Sequence, residues 1–166
     1  MLIACKGPNV VLYLDDEVDY SKYETYYLLN LKSKGKASDD NIIPMLEEMI
    51  QSEMHRRSYI FDKQDPDLIL RYELIASTET DISVTGSPYS PPNYLSINTF
   101  NSSILLLELK DLKNEKLLWQ ASVDMQNHQN LRKRKNPIAA AVQSVFATYL
   151  YKANSDDRDP SLANYE

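Results

Sequence analysis

The chain has 166 residues, of which 43% are hydrophobic and 25% are charged, and its formal net charge is −6. This length and composition are typical of one globular domain and exclude global disorder. The acidic balance argues against general affinity for nucleic acids. Three glycines are too few for a phosphate-cradling loop, and one cysteine excludes an intramolecular disulfide or a cysteine-built metal site.

The single cysteine lies in a short motif at the start of the sequence. Leu2, Ile3 and Ala4 precede Cys5 in the order of a bacterial lipobox, in which a small residue must lie beside the bond that is cut once the thiol carries diacylglycerol. We therefore predict that Cys5 is lipidated, that residues 1–9 are a lipobox remnant and flexible tether, and that the rest of the signal peptide lies upstream. The alternative is that Cys5 is an ordinary buried thiol on a first strand.

Five segments show the apolar content or alternation that is typical of β-strands. The last is the clearest, with Trp119 on its apolar side. In the third, the polar side that carries Arg71 is interrupted by Ile69 and Ile75. The predicted strands are 10–14, 23–31, 68–76, 104–109 and 117–126.

Two amphipathic helices are predicted, one on each side of the last three strands. The first spans 42–57, with Pro44 in its first turn, and the second follows Asn136 and Pro137, a good N-cap and first-turn pair. The apolar stripes of the two helices comprise Ile42, Leu46, Met49, Ile50 and Met54, and Ile138, Val142, Val145, Phe146 and Tyr149. The sequence therefore predicts one α+β domain over 10–152, a mostly antiparallel sheet of about five strands with both helices on one face and the other face partly wet.

Three polar segments fall outside these elements. Residues 78–102, which include Tyr89 and Tyr94, are predicted to be a long functional or mobile loop. Residues 127–135 end in the strongest local charge feature, a basic run that we expect to be a solvated loop and that offers a possible contact for anionic lipid. Residues 153–166 are predicted to be a disordered acidic tail. The basic run comprises Arg132, Lys133, Arg134 and Lys135.

The order of motifs resembles that of a bacterial putative-lipoprotein family, domain of unknown function 4136. The resemblance rests on the opening motif at 18–26, an Asp-Leu strand at 67–72, a leucine-rich strand closing on Asp111 and a strand that carries Trp119. The chain departs from the family at Ser58 and Ala121, where glycine is frequent. The resemblance implies an envelope location and supplies no known activity.

No residue pattern predicts catalysis, a cofactor or a metal. His55 and His128 are the two histidines, and neither has a partner at metal-ligand spacing or a nucleophile-elbow motif. The acidic run at 15–19 lacks the spacing of a calcium loop, so we interpret it as a solvated turn.

We therefore predict a non-enzymatic, lipid-anchored envelope protein on the periplasmic side of the outer membrane. Its expected partners are the membrane, through the lipid, and an unidentified envelope protein or small ligand, bound through the sheet face or the 78–102 loop. The alternatives are a periplasmic hydrolase with an unrecognised site around a histidine, and a cytosolic nucleic-acid-binding protein that uses the basic run.

Overall fold

The computed structural model describes residues 10–31, 42–87, 90–125 and 136–165, with 76–87 and 90–102 described by their backbone alone. Within these ranges the chain folds as an α+β domain, as predicted. In chain order the elements are β1 (Val10–Leu14), a 3-10 turn (Tyr20–Lys22), β2 (Thr25–Asn30), α1 (Ile42–Arg56), β3 (Ile60–Phe61), β4 (Leu68–Ser87), β5 (Ser90–Asp111), β6 (Leu117–Asp124), α2 (Pro137–Phe146) and a second 3-10 turn (Pro160–Ala163).

The strands form one six-stranded sheet in the order β1-β6-β5-β4-β2-β3. The β1–β6, β6–β5 and β5–β4 pairs are antiparallel, whereas β2 runs parallel to both β4 and β3. The parallel pairing follows from α1, which lies between β2 and β4 in the chain and carries it back to the same end of the sheet. The sixth strand, β3, was not predicted because two residues are too few to show alternation.

Both helices pack on one face of the sheet, as predicted. The second helix contacts β5, β6 and α1, and its N-cap Asn136 accepts a hydrogen bond from the Ala139 amide at 3.1 Å. The ring of Trp119 lies 5.6 Å from Phe146 and 5.3 Å from Tyr149, centroid to centroid. Trp119 is therefore a core anchor, with its indole N–H donating to Thr148 Oγ1 at 3.0 Å.

The first helix ends in a Schellman motif centred on Ser58. The amide of Tyr59 donates to the Met54 carbonyl and that of Ser58 to the His55 carbonyl, at 3.1 and 2.8 Å. This geometry places Ser58 in the left-handed region, with φ of 63°. The position at which the family often has glycine is thus a left-handed helix cap, where a β-carbon is unfavourable.

Residues 78–102 are not a loop, which corrects the sequence prediction. Strands β4 and β5 continue as one antiparallel hairpin to the Ser87–Ser90 pair, with a register irregularity between Thr85 and Ser87. Among the described strands, β2 pairs with β4 only as far as Tyr72 and β6 pairs with β5 only from Ile104. The hairpin therefore extends beyond its described neighbours as a two-stranded arm.

The segment 153–165 is ordered against the domain, so the predicted disordered tail is wrong for these residues. Leu162 is buried, and Arg56 donates to the carbonyls of Ser161, Leu162 and Asn164 at 2.9–3.1 Å. Two further bonds join this segment to the start of the domain. The Asn154 amide donates to the Tyr23 carbonyl at 3.0 Å and the Tyr20 amide to Asp156 Oδ1 at 2.8 Å.

Tyrosines form much of the core under this segment. Tyr20 is fully buried and stacks on Tyr151 with 3.9 Å between ring centroids. The hydroxyls of Tyr59 and Tyr149 share a hydrogen bond of 2.8 Å, and burial raises the pKa of Tyr59 to about 12. The abundant tyrosines therefore fill the core with rings whose hydroxyls find buried acceptors.

Arg57 joins the two helices from a fully buried position. Its guanidinium donates to the carbonyls of Tyr149, Phe146 and Glu53 at 2.8–3.0 Å and to Glu53 Oε2 at 2.6 Å. The guanidinium carbon lies 4.9 Å from the centre of the Phe146 ring. The Phe146 carbonyl lies at the end of α2, where helices leave acceptors without an intrahelical donor, and the Tyr149 carbonyl lies just beyond that end.

Candidate functional site

Most residues that the sequence singled out lie outside the described part of the chain. They are Cys5, Tyr89, His128 and the basic run Arg132, Lys133, Arg134 and Lys135. Tyr94 lies on the arm, where its backbone pairs with Thr85.

His55, the described histidine, makes no contact within the described ranges that would indicate a hydrolytic site. Its side chain is exposed near the end of α1, and no serine or carboxylate within the described ranges is in hydrogen-bonding reach of its ring. The same ranges contain no group of three or more His, Cys, Asp or Glu side chains that could hold a metal ion.

The acidic residues of the family motifs are structural. Asp19 caps the first 3-10 turn by accepting from the Ser21 amide at 3.1 Å. Asp67 accepts from the amides of Glu24 and Thr25 at 2.9 and 3.1 Å, which fixes the start of β2 beside that of β4. These two carboxylates therefore hold a turn and the ends of two strands in place.

A groove lies on the sheet face opposite the helices. It spans the ends of β2, β4 and β5 and the turn after β5, with a volume of about 410 Å³. This volume is within the range of small-molecule sites. The aliphatic side chains that line it are Leu29, Leu31, Ile69 and Leu112.

Two cationic side chains, Arg71 and Lys110, lie beside these aliphatic side chains. The register places Ile69 opposite Lys110 and Leu29 opposite Arg71, so all four side chains share one face. Lys110 makes no ion pair among the described residues. Arg71 Nη1 lies 3.5 Å from Glu108 Oε2, but its buried Nε has no hydrogen-bond partner there.

Two carboxylates line the groove, and one of them is fully engaged. Burial acts to raise the pKa of Asp111, but hydrogen bonds from Asn114, Tyr23 and the Lys113 amide outweigh it and hold the pKa below its ordinary value. The Tyr23 hydroxyl donates to Asp111 Oδ2 at 2.9 Å, on the helix side of the sheet. The other carboxylate, Glu115, is exposed on the turn, and no ion pair joins it or Asp111 to Arg71 or Lys110.

The sequence carries a signal for this groove in the aliphatic residues on the polar side of the strands. Ile69 interrupts the polar side of its strand next to Arg71, and Leu29 is an exposed leucine on β2. Aliphatic and cationic residues on a wet sheet face indicate a binding surface, but their meeting depends on the parallel β2–β4 pairing, which the sequence did not predict.

Comparison with known proteins gives a family and a set of distant fold neighbours. No curated protein matches the chain, and no helix within the described ranges has the length and apolar content needed to cross a membrane. A PDZ domain protein from Parabacteroides distasonis is 12% identical, with a TM-score of 0.45 over 70% of this chain, which spans only 30% of that protein.

Two other solved structures match this chain at similarly low TM-scores. The PelC dodecamer from Paraburkholderia phytofirmans is 10% identical over 83% of this chain and 94% of its own, with a TM-score of 0.47. A neuraminyllactose-binding hemagglutinin homolog from Helicobacter pylori is 16% identical over 72% and 81%, with a TM-score of 0.42. The model of the family described as a domain of unknown function, DUF4136, matches residues 10–149. The match includes the whole sheet and both helices, and the chain therefore belongs to the DUF4136 family.

Proposed function

We propose that the protein is a non-enzymatic lipoprotein of the bacterial envelope that binds an amphiphilic anion, such as a fatty-acid carboxylate, in the open-face groove. The observation that carries this proposal is the pairing of an aliphatic floor with Arg71 and Lys110. A hydrocarbon chain would bury against the aliphatic side chains, and each buried CH₂ contributes about 0.8 kcal/mol.

The acidic head group would accept hydrogen bonds from Arg71 and Lys110. The buried Nε of Arg71 has no acceptor among the described residues, and leaving a buried donor unpaired costs about 1–3 kcal/mol. A carboxylate next to this guanidinium would receive charge-assisted hydrogen bonds. The groove should therefore discriminate by the sign of the head group as well as by chain length.

A pair of probes with the same tail tests this discrimination. Decanoate should bind and shift the methyl resonances of Leu29 and Ile69, whereas the decyltrimethylammonium cation should not. Arg71→Gln and Lys110→Gln should each weaken decanoate binding about tenfold or more, since one charged hydrogen bond contributes about 1.5–3 kcal/mol.

Lys22→Gln is the matched control, because Lys22 is a surface lysine with a 70% exposed side chain away from the groove. Equal binding of both amphiphiles, or unchanged affinity in Arg71→Gln, would refute the ligand class.

The proposed anchor is Cys5, and its support is the lipobox order of residues 2–5 together with family membership. Four residues separate Cys5 from β1, so an extended tether would hold Val10 within about 18 Å of the lipid glycerol. Two acyl chains give stable membrane attachment, whereas one gives marginal binding. We place the domain on the periplasmic side of the outer membrane.

Intact mass measurement on protein expressed from its genomic locus in the native host tests the anchor. The expected product begins at Cys5, carries diacylglycerol and fractionates with membranes, and Cys5→Ser should lose both the added mass and the membrane fraction. A native product with a free Cys5 thiol would end the envelope proposal without affecting the groove.

A further inference from the structure

Strand β1 is an edge strand without the usual protection against pairing. It is the last described strand on its side of the sheet, and its five residues include neither a charge nor a proline. Val11, Leu12 and Tyr13 are 73%, 47% and 45% exposed. The opposite edge, β3, has only two residues. Proteins commonly shorten, charge or cover such edges, and β1 shows none of these features among the described residues.

The backbone groups on the free side of β1 can be assigned from one hydrogen bond. The Asp15 amide donates to the Leu118 carbonyl of β6 at 2.9 Å. Both backbone groups of a residue in an antiparallel ladder point to the same side, and the side alternates along the strand. The odd-numbered residues therefore bond to β6, and Val10, Leu12 and Leu14 direct their N–H and C=O groups away from the sheet.

This outward set is symmetric about Leu12. An antiparallel partner with the same sequence would place Leu12 opposite its own copy and Val10 opposite Leu14, with two hydrogen bonds in each pair. On the open face, Val11 would lie opposite Tyr13, and aromatic with β-branched pairs stabilise antiparallel strands. The two-fold axis keeps both helix layers on the same face of one continuous sheet.

The charges next to β1 do not oppose such pairing. Asp15 is neutralised by Lys116, with 2.7 Å between Oδ2 and Nζ, and Asp16 is paired with Arg158. The acidic turn that would approach the start of the partner strand is thus balanced within each copy.

We propose that β1 pairs antiparallel with β1 of a second copy of this chain, centred on Leu12, to form a homodimer with a continuous sheet. The contact consists of one strand from each copy and is small by the standard of permanent dimers, so the equilibrium depends on concentration. It does not depend on a lipid at Cys5 or on a ligand in the groove.

Sedimentation equilibrium over a concentration series tests the dimer. All variants carry Cys5→Ser, so that a disulfide through the lone cysteine cannot produce it. The parent protein should approach twice the chain mass of 19.1 kDa as concentration rises. Leu12→Pro should remain a monomer, because it removes an outward N–H that the monomer does not use, and proline is tolerated at such edge positions. Leu12→Val is the matched control and should still dimerise.

Disulfide trapping tests the register. Residues 11 and 13 would form a non-hydrogen-bonded pair with about 4.5 Å between Cα atoms, which a disulfide can bridge. A mixture of Val11→Cys and Tyr13→Cys proteins should form a mixed disulfide dimer under mild oxidation, and either variant alone should not.

In the sedimentation experiment, the far-ultraviolet circular dichroism of Leu12→Pro must match that of the parent protein, which shows that the variant is folded.

Two results would overturn the proposal. One is a parent protein that stays monomeric at every concentration. The other is a dimer that survives Leu12→Pro, or cysteine variants that cross-link alone as well as in the mixture.

Discussion

Replacing Arg57 with methionine should cause one of the largest losses of stability available in the core. Methionine keeps much of the aliphatic stem but removes the guanidinium that bonds to three carbonyls and to Glu53. The Tyr149 carbonyl would then lose its donor, whereas the Phe146 carbonyl would keep only the Tyr149 amide at 2.9 Å. The Glu53 carboxylate would keep the Tyr165 hydroxyl at 2.9 Å and the Arg56 guanidinium, whose Nη1 lies 3.7 Å from Glu53 Oε2.

The magnitude follows from the burial. Removing one partner of a buried ion pair costs about 3–5 kcal/mol, which already includes the unpaired groups left behind. With a urea m-value of about 2 kcal/mol/M, the unfolding midpoint should fall by about 2 M. Because part of the penalty comes from the Glu53 carboxylate losing its nearest cation, Glu53→Gln combined with Arg57→Met should cost less than the two single changes added together.

Urea unfolding followed by the fluorescence of Trp119 measures both quantities. Arg56→Met is the matched control, since this neighbour also bonds to three carbonyls but has a 34% exposed side chain, and it should lose only about 1 kcal/mol. A loss below about 1 kcal/mol in Arg57→Met would show that water or rearrangement replaces the guanidinium, and the account of the helix junction would be wrong.

Three further changes test other parts of the fold. Asp111→Asn should destabilise by about 1–3 kcal/mol at neutral pH; because the folded pKa lies below the ordinary value, this difference should shrink as pH falls below about 4 in acid-unfolding curves, and a pH-independent difference would contradict it. Truncation after Lys152 removes the buried Leu162 and should lower the free energy of unfolding by at least about 2 kcal/mol in thermal or urea unfolding. An unchanged midpoint would instead support the sequence prediction that this segment is disordered. Ser58→Gly relieves a φ of 63° and should stabilise by about 0.5–1 kcal/mol in the same assay, with Ser58→Ala as the control that should not.

The ends of the two helices were predictable because each depends on residues that are close together in the sequence. The first helix begins where Pro44 allows and ends before Ser58, and the second begins at the Asn136 cap. Each boundary depends on a turn or cap that involves neighbouring residues only. Ser58, one of the two positions at which the family often has glycine, has a left-handed backbone that the sequence did not predict.

The features that the sequence did not predict depend on distant partners. The arm has serines, threonines and prolines that are typical of loops, and its strands exist because β4 and β5 pair with each other. The segment 153–165 is polar along its length, but Leu162 and the carbonyls that Arg56 binds hold it in place. The groove likewise requires Leu29 and Arg71 to meet through a pairing between strands far apart in sequence.

The hydrogen bonds that join Asn154 to Tyr23 and Asp156 to Tyr20 delay the last step of folding during synthesis. The first turn of the domain receives these partners only after Asn154 and Asp156 have left the ribosome. A nascent chain that stops short of them must keep Tyr20 and its aromatic neighbours partly solvated. Folding of this region is therefore completed only once these residues have emerged, and nascent chains that stop before them should be readily degraded by proteases.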